Sequence, residues 1–357
     1  MRVSRFAIAL LAAGLAACAR SGAPPRTVPG PPVPLLGTAP LVIPFGIRVD
    51  GLQVGGLSAI AQAPDGSWLA LVDNEGETPA RVFRLVFEVS ERGVTPPAGK
   101  TARQVPVAAI RLQGFDGGNF DGEGLALESA GRLLISSETE PSIREFSPEG
   151  KLLGALPVPA IFLAGEKTGV RKNQGFESLT LAPGGEALWT ANERALQQDA
   201  PDDETRPSPV RLLRYERRGD SFVPEVQFVY EVEPIDKPGI GFAIRGLAEL
   251  LALPGGDLLA LERQFVTGRG MEIQIFRVSL AGATDVSGLD SLAGKGYTPV
   301  RKTLLFDLGR AGFAPDNLEG LTFGPPLSDG SRTLVLVSDD NFERFQRTQI
   351  VALRWIE

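Results

Sequence analysis

The sequence predicts an all-β fold, a β-propeller of five four-stranded blades. Two observations support this prediction: a hairpin-like pattern recurs five times along the chain, and glycine and proline are frequent. The 357 residues include 42 Gly and 29 Pro, whereas aromatic residues make up 7 %. This turn-rich composition favours many short strands over long helices. Hydrophobic residues make up 43 % of the chain, which is enough for a sizeable core.

The five repeats share one order of parts. Each has an apolar strand, a turn rich in Pro, Gly or Asp, a second apolar strand, and then acidic or amide residues, which is typical of a β-hairpin. The repeats begin at Gly56, Gly122, Phe176, Leu247 and Leu318. Alternating segments after each hairpin predict a third strand, and those after the first four hairpins predict a fourth. Four strands repeated around an axis form the blades of a propeller.

The last blade is expected to be closed by a strand from the other end of the chain. Its third strand runs from Thr348 to Trp355, and only two residues follow. The unassigned strand from Leu41 to Val49 is therefore the candidate for its fourth strand. A sixth blade within residues 158–172 or 279–299 stays open at this point. A solenoid or a two-domain sandwich is the alternative architecture.

Residues 1–17 have the features of an export signal. Arg2 and Arg5 precede an apolar run from Phe6 to Ala17 that is too short to span a bilayer. The run ends in Leu-Ala-Ala-Cys, which resembles a bacterial lipobox and implies cleavage before Cys18 and lipidation of that residue. An ordinary secretory signal followed by a coincidental cysteine is the alternative.

Residues 18–40 are expected to be a tether and residues 41–357 the propeller domain. The tether contains seven prolines, so it reads as an extended, semi-rigid linker. Ala19, rather than Asp, follows the cysteine, which favours the outer membrane over the inner membrane. We therefore expect a monomer on the periplasmic face of the outer membrane, with the lipid as its sole membrane contact.

The amino-acid composition excludes several classes of site. The chain has no His and one Cys, which excludes Ser-His-Asp and Cys-His catalysis, imidazole metal ligands, intrachain disulfides and multi-thiolate sites. Proton transfer must then use carboxylates, Lys, Tyr or a metal-bound water. A formal charge of −7 argues against nucleic acid as a partner.

Acidic residues recur at two positions of each hairpin. Counting eight residues back from the turn glycine gives Ser58, Glu123, Glu177 and Ala248 in the first four repeats, and the matching residue of the longer fifth repeat is Glu319, eleven residues before Gly330. Counting seven residues forward in the first four repeats, and taking the strand end of the fifth, gives Asp73, Glu138, Asn192, Arg263, Asp339 and Asp340. Because strand direction alternates within a hairpin, both positions are expected on the same rim of the propeller. The alternative is that these acids only cap strands and bond to neighbouring blades.

Carboxylates gathered on one rim indicate a site for a hard cation, Ca²⁺ before Mg²⁺. The glycine-rich loop at 115–123 adds further oxygen side chains, although Asx turns would explain these equally well. The candidate metal ligands are Asp116, Asp121, Glu138, Glu193, Asp339 and Asp340.

Several short motifs resemble the phytase-like family of bacterial secreted proteins, described as having the "esterase-like activity of phytase". The motifs lie at 120–125, 173–179, 189–193, 316–321 and 338–342. The resemblance runs from about Pro44 to Trp355 and implies a propeller with a phosphoesterase-type activity. Glu123, Glu177 and Glu319 match the repeated glutamates of the family. Ala248 departs from this pattern, so the fourth blade is expected to contribute Arg245 and Glu262 instead.

Three functions follow from these residues. The first is metal-dependent hydrolysis of small phosphoric esters, with Ca²⁺ as cofactor. Catalytic roles are then expected for Glu123, Glu177, Glu319 and Arg245, and substrate contacts for Arg263, Asn192 and Asn341. The second is a non-catalytic propeller that binds a ligand or protein of the cell envelope. The third is a calcium-dependent lactonase or esterase that uses Glu177, Asn192 and Asp339.

Overall fold

The computed structural model describes residues 34–73, 79–115, 120–235 and 241–355. The predicted signal peptide, Cys18 and Asp116 lie outside these ranges. The predicted fold is confirmed, because the described residues form five antiparallel sheets of four strands each. The helices among them are three short 3₁₀ helices, Ala102–Gln104, Ala160–Phe162 and Leu308–Arg310. No helix in these ranges has the length and apolar character needed to cross a membrane.

The strands follow one another from the axis outwards in each blade. Three short strands precede the first blade: β1 (Leu41–Ile43), β2 (Arg48–Val49) and β3 (Leu52–Gln53). Blade 1 contains β4 (Leu57–Gln62), β5 (Trp68–Val72), β6 (Arg81–Leu85) and, after the small hairpin of β7 (Glu88–Ser90) and β8 (Gly93–Thr95), β9 (Pro106–Arg111). Blade 2 contains β10 (Gly122–Leu127), β11 (Leu133–Ser137), β12 (Ser142–Phe146) and β13 (Leu152–Ala155).

The last three blades have the same order and, in most positions, longer strands. Blade 3 contains β14 (Phe176–Leu181), β15 (Ala187–Asn192), β16 (Ser208–Arg218) and β17 (Ser221–Val232). Blade 4 contains β18 (Ala243–Ala252), β19 (Leu258–Val266), β20 (Gly270–Ser279) and β21 (Arg301–Asp307). Blade 5 contains β22 (Asn317–Gly324), β23 (Arg332–Asp339), β24 (Thr348–Trp355) and, as its outermost strand, β1.

The blades close into a ring around the five innermost strands. Strands β4, β10, β14, β18 and β22 contact one another in ring order, and β22 returns to β4. A separate hydrophobic core fills each interface between neighbouring blades; for example, Leu134 of blade 2 and Leu188 of blade 3 share one core. The two inner strands of a blade are apolar and buried on both faces, which explains their near-continuous apolar sequences.

The N-terminal strand closes blade 5 as predicted, but it is shorter than the sequence suggested. Leu41 pairs with Ile350 and Ile43 with Thr348 in an antiparallel ladder. The ladder ends at Pro44, which has no amide hydrogen to donate. Residues Arg48–Val49, which were expected in the same strand, pair with β3 instead.

The two candidate segments for a sixth blade form no further sheet. Residues 158–172 include the 3₁₀ helix Ala160–Phe162, and residues 280–299 contain turns but no strand and lie against blade 3, where the N–H of Val286 donates to the carbonyl of Gln227 at 2.8 Å. The buried ion pair of Arg211 and Asp199, at 2.7 Å, holds the latter segment in place. The Arg211 guanidinium donates to the carbonyl of Leu289 at 3.0 Å. The propeller therefore has five blades, and the solenoid and two-domain alternatives are excluded.

Each innermost strand carries a β-bulge at the same place. The register between the first two strands of every blade shifts by one residue near the start of the innermost strand. The residues at these shifts are Ser58, Glu123 with Gly124, Glu177, Ala248 and Glu319. These include the five residues that the sequence singled out before the turn glycines. A bulge bends the strand and redirects its side chain, so the same device operates five times around the axis.

Candidate functional site

The structure places the two recurring positions on one rim of the channel. The strand pairing joins the start of each innermost strand to the end of the second strand, as in Phe176 with Asn192 and Asn317 with Asp339. We call the residues at the bulges, Ser58, Glu123, Glu177, Ala248 and Glu319, the bulge ring. The structurally equivalent residues at the ends of the second strands form the strand-end ring: Asp73, Glu138, Glu193, Arg263 and Asp339.

This alignment corrects one position that was counted from the turn glycines. Asn192 pairs with Phe176 just as Ser137 pairs with Gly122, so the equivalent of Glu138 is Glu193. The count failed because the hairpin of blade 3 is one residue longer between these pairs than that of blade 2. Asp73 lies at the predicted position of its repeat and close to Asp121 and Glu123, although it is not among the predicted metal ligands.

The acids of the two rings and Asp121 form what we call the axial acid cluster. Its members are Asp73, Asp121, Glu123, Glu138, Glu177, Glu193, Glu319 and Asp339, all buried except the partly buried Asp73. Blades 1, 2, 3 and 5 each supply carboxylates, whereas blade 4 supplies Ala248 to the bulge ring and Arg263 to the strand-end ring. The two rings and Asp121 therefore bring eight carboxyl groups and the guanidinium of Arg263 to the same rim.

Two groups of three carboxylates within the cluster have spacings that suit a cation. In the first triad, Asp73, Asp121 and Glu123, one oxygen of each residue lies within 4.8 Å of the others. The second triad, Glu138, Glu177 and Glu193, meets the same limit. Ca²⁺ binds oxygen at about 2.3–2.6 Å, so two of its ligands are at most about 5 Å apart. The donor chemistry and the spacing of both triads thus fit a hard divalent cation.

Arg263 forms ion pairs with two members of the cluster. Its Nη2 lies 3.2 Å from Oε1 of Glu193, and its Nε lies 3.4 Å from Oε1 of Glu319. Its Nη1 donates to Oδ1 of Asn317 at 3.0 Å. Burial by itself would lower the pKa of Arg263, but the charges of Glu319, Glu193 and Glu177 hold that pKa above its ordinary value.

A further carboxyl pair lies beside Arg263 at blade 5. The Nδ2 of Asn317 donates to Oε1 of Glu319 at 2.8 Å and to Oδ2 of Asp339 at 3.4 Å. The backbone N–H of Asn341 donates to Oδ1 of Asp339 at 2.7 Å. These contacts hold Glu319 and Asp339 at the edge of the cluster, outside both triads.

Burial and mutual repulsion raise the pKa values of seven members of the cluster. Desolvation is the largest cause, and it raises the pKa of Asp73, Glu123, Glu138, Glu177 and Asp339 well above their ordinary values, with neighbouring carboxylates adding to the effect. Burial also raises the pKa of Glu193 and Glu319, but the charge of Arg263 opposes it. Without a cation, the cluster must therefore retain protons at pH values where exposed acids have lost them.

Arg245 and Glu262 do not join the cluster, contrary to expectation. The Nε of Arg245 lies 2.6 Å from Oε2 of Glu262, and its other nitrogens bond to Gln264 and Gln274. Glu262 also accepts from the hydroxyl of Tyr230 at 2.7 Å and from Nζ of Lys302 at 2.8 Å. The reason is strand alternation: Glu262 and Arg263 are consecutive, so their side chains point to opposite faces of β19.

Three other predicted site residues make structural contacts outside the triads. Asn192 accepts from the backbone N–H of Arg211 at 3.1 Å and donates to the carbonyl of Arg194. Asp340 accepts from the backbone N–H of Gly56 at 2.9 Å and from the hydroxyl of Thr348 at 3.0 Å, which joins blade 5 to blade 1. Asn341 is exposed and has a φ of 46°. Both polar atoms of the Asn192 side chain are thus engaged by backbone groups, so Asn192 does not fit the ligand role that the lactonase hypothesis gives it beside Glu177 and Asp339.

Comparisons with known proteins identify the family. An uncharacterized secreted protein of the fungus Arthroderma benhamiae is 25 % identical over 205 residues, which cover 47 % of this chain and 40 % of the fungal protein. The match thus spans well under half of that relative.

The comparison with solved structures includes three chains of low overall similarity. A luciferin-regenerating enzyme shows 11 % identity and a TM-score of 0.38, covering 87 % of this chain and 80 % of its own. Virginiamycin B lyase from Staphylococcus aureus shows 12 % identity and a TM-score of 0.33, and the match covers 87 % of this chain and 72 % of the lyase. The Dos1 propeller shows 8 % identity and a TM-score of 0.35, and the match covers 84 % of this chain and 71 % of the Dos1 chain. Likeness at this level concerns the fold alone.

The family is assigned from the sequence match to the propeller itself. Residues 52–342 match the family described as "Phytase-like: Esterase-like activity of phytase". This range begins just before blade 1 and ends in the loop after Asp339, so it includes every member of the axial acid cluster. The protein belongs to the phytase-like family.

Proposed function

We propose that this protein is a metal-dependent hydrolase of phosphoric esters, with the axial acid cluster as its active site. The observation that carries the proposal is the convergence of two carboxylate triads on one rim of a phytase-like propeller. The description of the family supports an ester as the substrate class. The absence of His from the chain leaves these carboxyl groups as the main candidates for chemistry at this rim.

The two triads are the proposed ligands for divalent cations, with Ca²⁺ favoured because all six donors are carboxylate oxygens. A cation bound there supplies Lewis-acid activation of the phosphoryl group and of the attacking water. Metal ligation also explains why so many carboxyl groups are buried together, since the positive charge offsets both desolvation and repulsion.

Residues beside the triads are assigned the remaining roles. Arg263 is the proposed contact for the anionic phosphate, because its partly exposed guanidinium can donate several charge-assisted hydrogen bonds. Asp339 belongs to neither triad, and burial raises its pKa well above the ordinary value of 3.8. We assign it as the group that holds a proton for the leaving oxygen. Glu319 and Asn317 orient both residues through their hydrogen bonds.

The test is metal-dependent turnover on a defined panel of substrates. The purified protein is stripped with chelator, and Ca²⁺ or Mg²⁺ is added back before assay with phosphomonoesters, phosphodiesters, carboxylic esters and lactones. We expect phosphoric-ester hydrolysis with Ca²⁺, its loss in Glu177→Gln, and its retention in the control Glu166→Gln, an exposed acid. Phosphoric-ester turnover that is indifferent to metal would refute the proposal.

Two other outcomes would select the alternative functions. Calcium binding without turnover of any substrate in the panel would favour a binding propeller. Turnover of carboxylic esters or lactones alone would favour the esterase reading, which the family description also supports.

We also propose that the protein is exported, in line with the secreted fungal relative. More specifically, we propose that a lipid is attached at Cys18 and that it anchors the protein to the outer membrane. Cys18→Ser should release the protein from the membrane fraction if the anchor exists, and an unchanged distribution would contradict it.

A further inference from the structure

Glu249 is a buried carboxylate that belongs to neither triad. It follows the bulge residue Ala248 on the innermost strand of blade 4 and is 3 % exposed. Burial raises its pKa well above the ordinary value, although two backbone hydrogen bonds act in the opposite direction. The side chain therefore resembles a neutral acid, for which glutamine is the conservative replacement.

The two hydrogen bonds of Glu249 reach amides just beyond two bulges. Its Oε1 accepts from the backbone N–H of Leu179 at 3.1 Å and of Leu250 at 2.9 Å. Leu179 lies two residues after the bulge residue Glu177, and Leu250 lies two residues after Ala248. A bulge disrupts the local ladder, and a buried amide nearby needs another acceptor. One carboxylate oxygen of blade 4 meets this need in two neighbouring blades.

Blade 2 has a related contact, one residue nearer its bulge and made within the blade. There the N–H of Gly124, beside the bulge residue Glu123, donates to Oγ of Ser136 at 2.8 Å. The equivalent of Ser136 in blade 3 is Ala191, which pairs with Ser178 and has no hydroxyl. Ser178 is the equivalent of Gly124, so blade 3 has no such hydroxyl contact within the blade, and its side-chain acceptor near the bulge is Glu249 of the next blade, which accepts from Leu179 one residue further on.

We propose that Glu249 is a positioning residue that fixes the bulge at Glu177 and so directs the Glu177 carboxylate into the second triad. This inference rests on the proposed function, because it assigns the triad a ligand role. Glu249 acts through the Leu179 amide, two residues from Glu177, and does not itself contact the cation. Outer contacts of this kind change metal affinity by about 10- to 100-fold when they are removed.

A purely structural role is the competing explanation, since Glu249 also joins blade 3 to blade 4. Thr180 offers a matched control, because its Oγ1 accepts from the N–H of Ala252 at 3.0 Å and joins the same two blades away from the bulge. Thr180→Val removes an inter-blade bond and leaves the acceptor for Leu179 in place. A structural role would make both variants lower the melting temperature without a specific change in metal affinity.

The experiment is calorimetric titration of Ca²⁺ into metal-free protein, with melting temperature and hydrogen exchange of residues 176–181 measured alongside. We compare wild type with Glu249→Gln, Glu249→Leu and Thr180→Val. We expect Glu249→Leu to bind Ca²⁺ at least about tenfold more weakly and to exchange the Leu179 amide faster. Glu249→Gln and Thr180→Val should retain wild-type affinity. Glu249→Asp, whose shorter side chain cannot span both amides, replaces Glu249→Leu if the latter does not fold.

Each result decides the inference. Wild-type affinity in Glu249→Leu, or an equal loss in Thr180→Val, would overturn it. If the wild type binds no Ca²⁺, the proposed metal function fails, and hydrogen exchange alone decides whether Glu249 fixes the bulge. In that case, unchanged exchange of Leu179 in Glu249→Leu would overturn the positioning role, and faster exchange that Glu249→Gln prevents would support it.

Discussion

Arg263 is an internal counter-charge for the carboxylates around it. It contacts Glu193 of blade 3 and Glu319 of blade 5, so one guanidinium connects blades on either side of its own. It stands in the strand-end ring, where the other four blades supply acids, and this position is the reason that we propose it as the contact for an anionic substrate.

Removal of the Arg263 charge should destabilise the metal-free protein. Arg263→Met leaves Glu193 and Glu319 buried without their counter-charge, which typically costs about 3–5 kcal/mol. Arg263→Lys keeps a positive charge but loses the planar fork, so an intermediate loss is expected. Urea denaturation at pH 7 in the presence of chelator measures both. An unchanged free energy of unfolding in Arg263→Met would contradict the counter-charge role.

Gly246 makes room for Glu193, a member of the second triad. It pairs with Arg263, and a Cβ atom there would overlap the side-chain carbons of Glu193. Gly246→Ala should therefore displace Glu193 and weaken Ca²⁺ binding by at least about tenfold. Gly288→Ala is the control, since a Cβ at that position meets nothing within 4 Å. Equal calcium affinities of the two variants in a titration would show that the triad does not need Glu193 in place.

The sequence predicted which residues gather at the rim but not their exact register. Counting from the turn glycines gives four residues of the bulge ring, because eight residues separate the bulge from the glycine in each of the first four repeats; Glu319, in the longer fifth repeat, is indicated instead by its Glu-Gly-Leu motif. In the strand-end ring the count gives Asn192 at the position that Glu193 occupies, although Glu193 is among the predicted metal ligands, since the hairpin length varies between blades. The prediction that Arg245 and Glu262 join the rim is wrong, because the direction of side chains on β18 and β19 depends on how these strands pair. A single sequence does not show that pairing.

At the scale of elements, the repeated bulge gives each inner hairpin the residue that it contributes to the bulge ring. The inner strands are nearly all apolar and buried, yet each admits one polar or small residue where the register shifts. Apolar runs and turns predicted the strands, because burial and turn chemistry leave a local signal. The bulges left no such signal, since they are properties of two paired strands.

The closing strand β1 should contribute strongly to stability despite its three residues. Ile43 is 2 % exposed and lies in the core between blades 5 and 1. Ile43→Ala should lower the free energy of unfolding by about 2–5 kcal/mol, the usual cost of such a truncation in a packed core. Val42, on the opposite face and only partly buried, gives the matched control Val42→Ala, which should cost much less. Urea denaturation of both variants provides the comparison, and equal losses would argue against closure through this core.

At the scale of the whole molecule, five separate cores hold the blades in a ring around an acidic axis. The closed ring keeps the axial acid cluster together even though its carboxyl groups repel one another. The favourable packing at each blade interface is non-polar and insensitive to pH, whereas the axis is strongly sensitive to it. The free energy of unfolding should therefore have a pH dependence that comes largely from this one region.

That dependence has a definite direction. Seven members of the cluster have pKa values raised above their ordinary values of 4.5 for Glu and 3.8 for Asp, with burial as the largest cause. The unfolded chain loses these protons near the ordinary values, while the folded chain retains them to higher pH. The stability present below about pH 4 is therefore lost progressively as the pH rises towards the folded-state pKa values.

Calcium should reverse this loss, because it binds the ionised carboxylates of the folded state. At a free concentration 100 times the dissociation constant, such binding adds about 2.7 kcal/mol to the free energy of unfolding. Thermal unfolding between pH 4 and 8, with chelator and with Ca²⁺, gives the test: the melting temperature should fall with pH in chelator and recover with Ca²⁺ above about pH 6. A flat profile in chelator would mean that the carboxyl groups ionise in the fold without a cation, and Arg263 would then have to neutralise far more of their charge than its two ion pairs suggest.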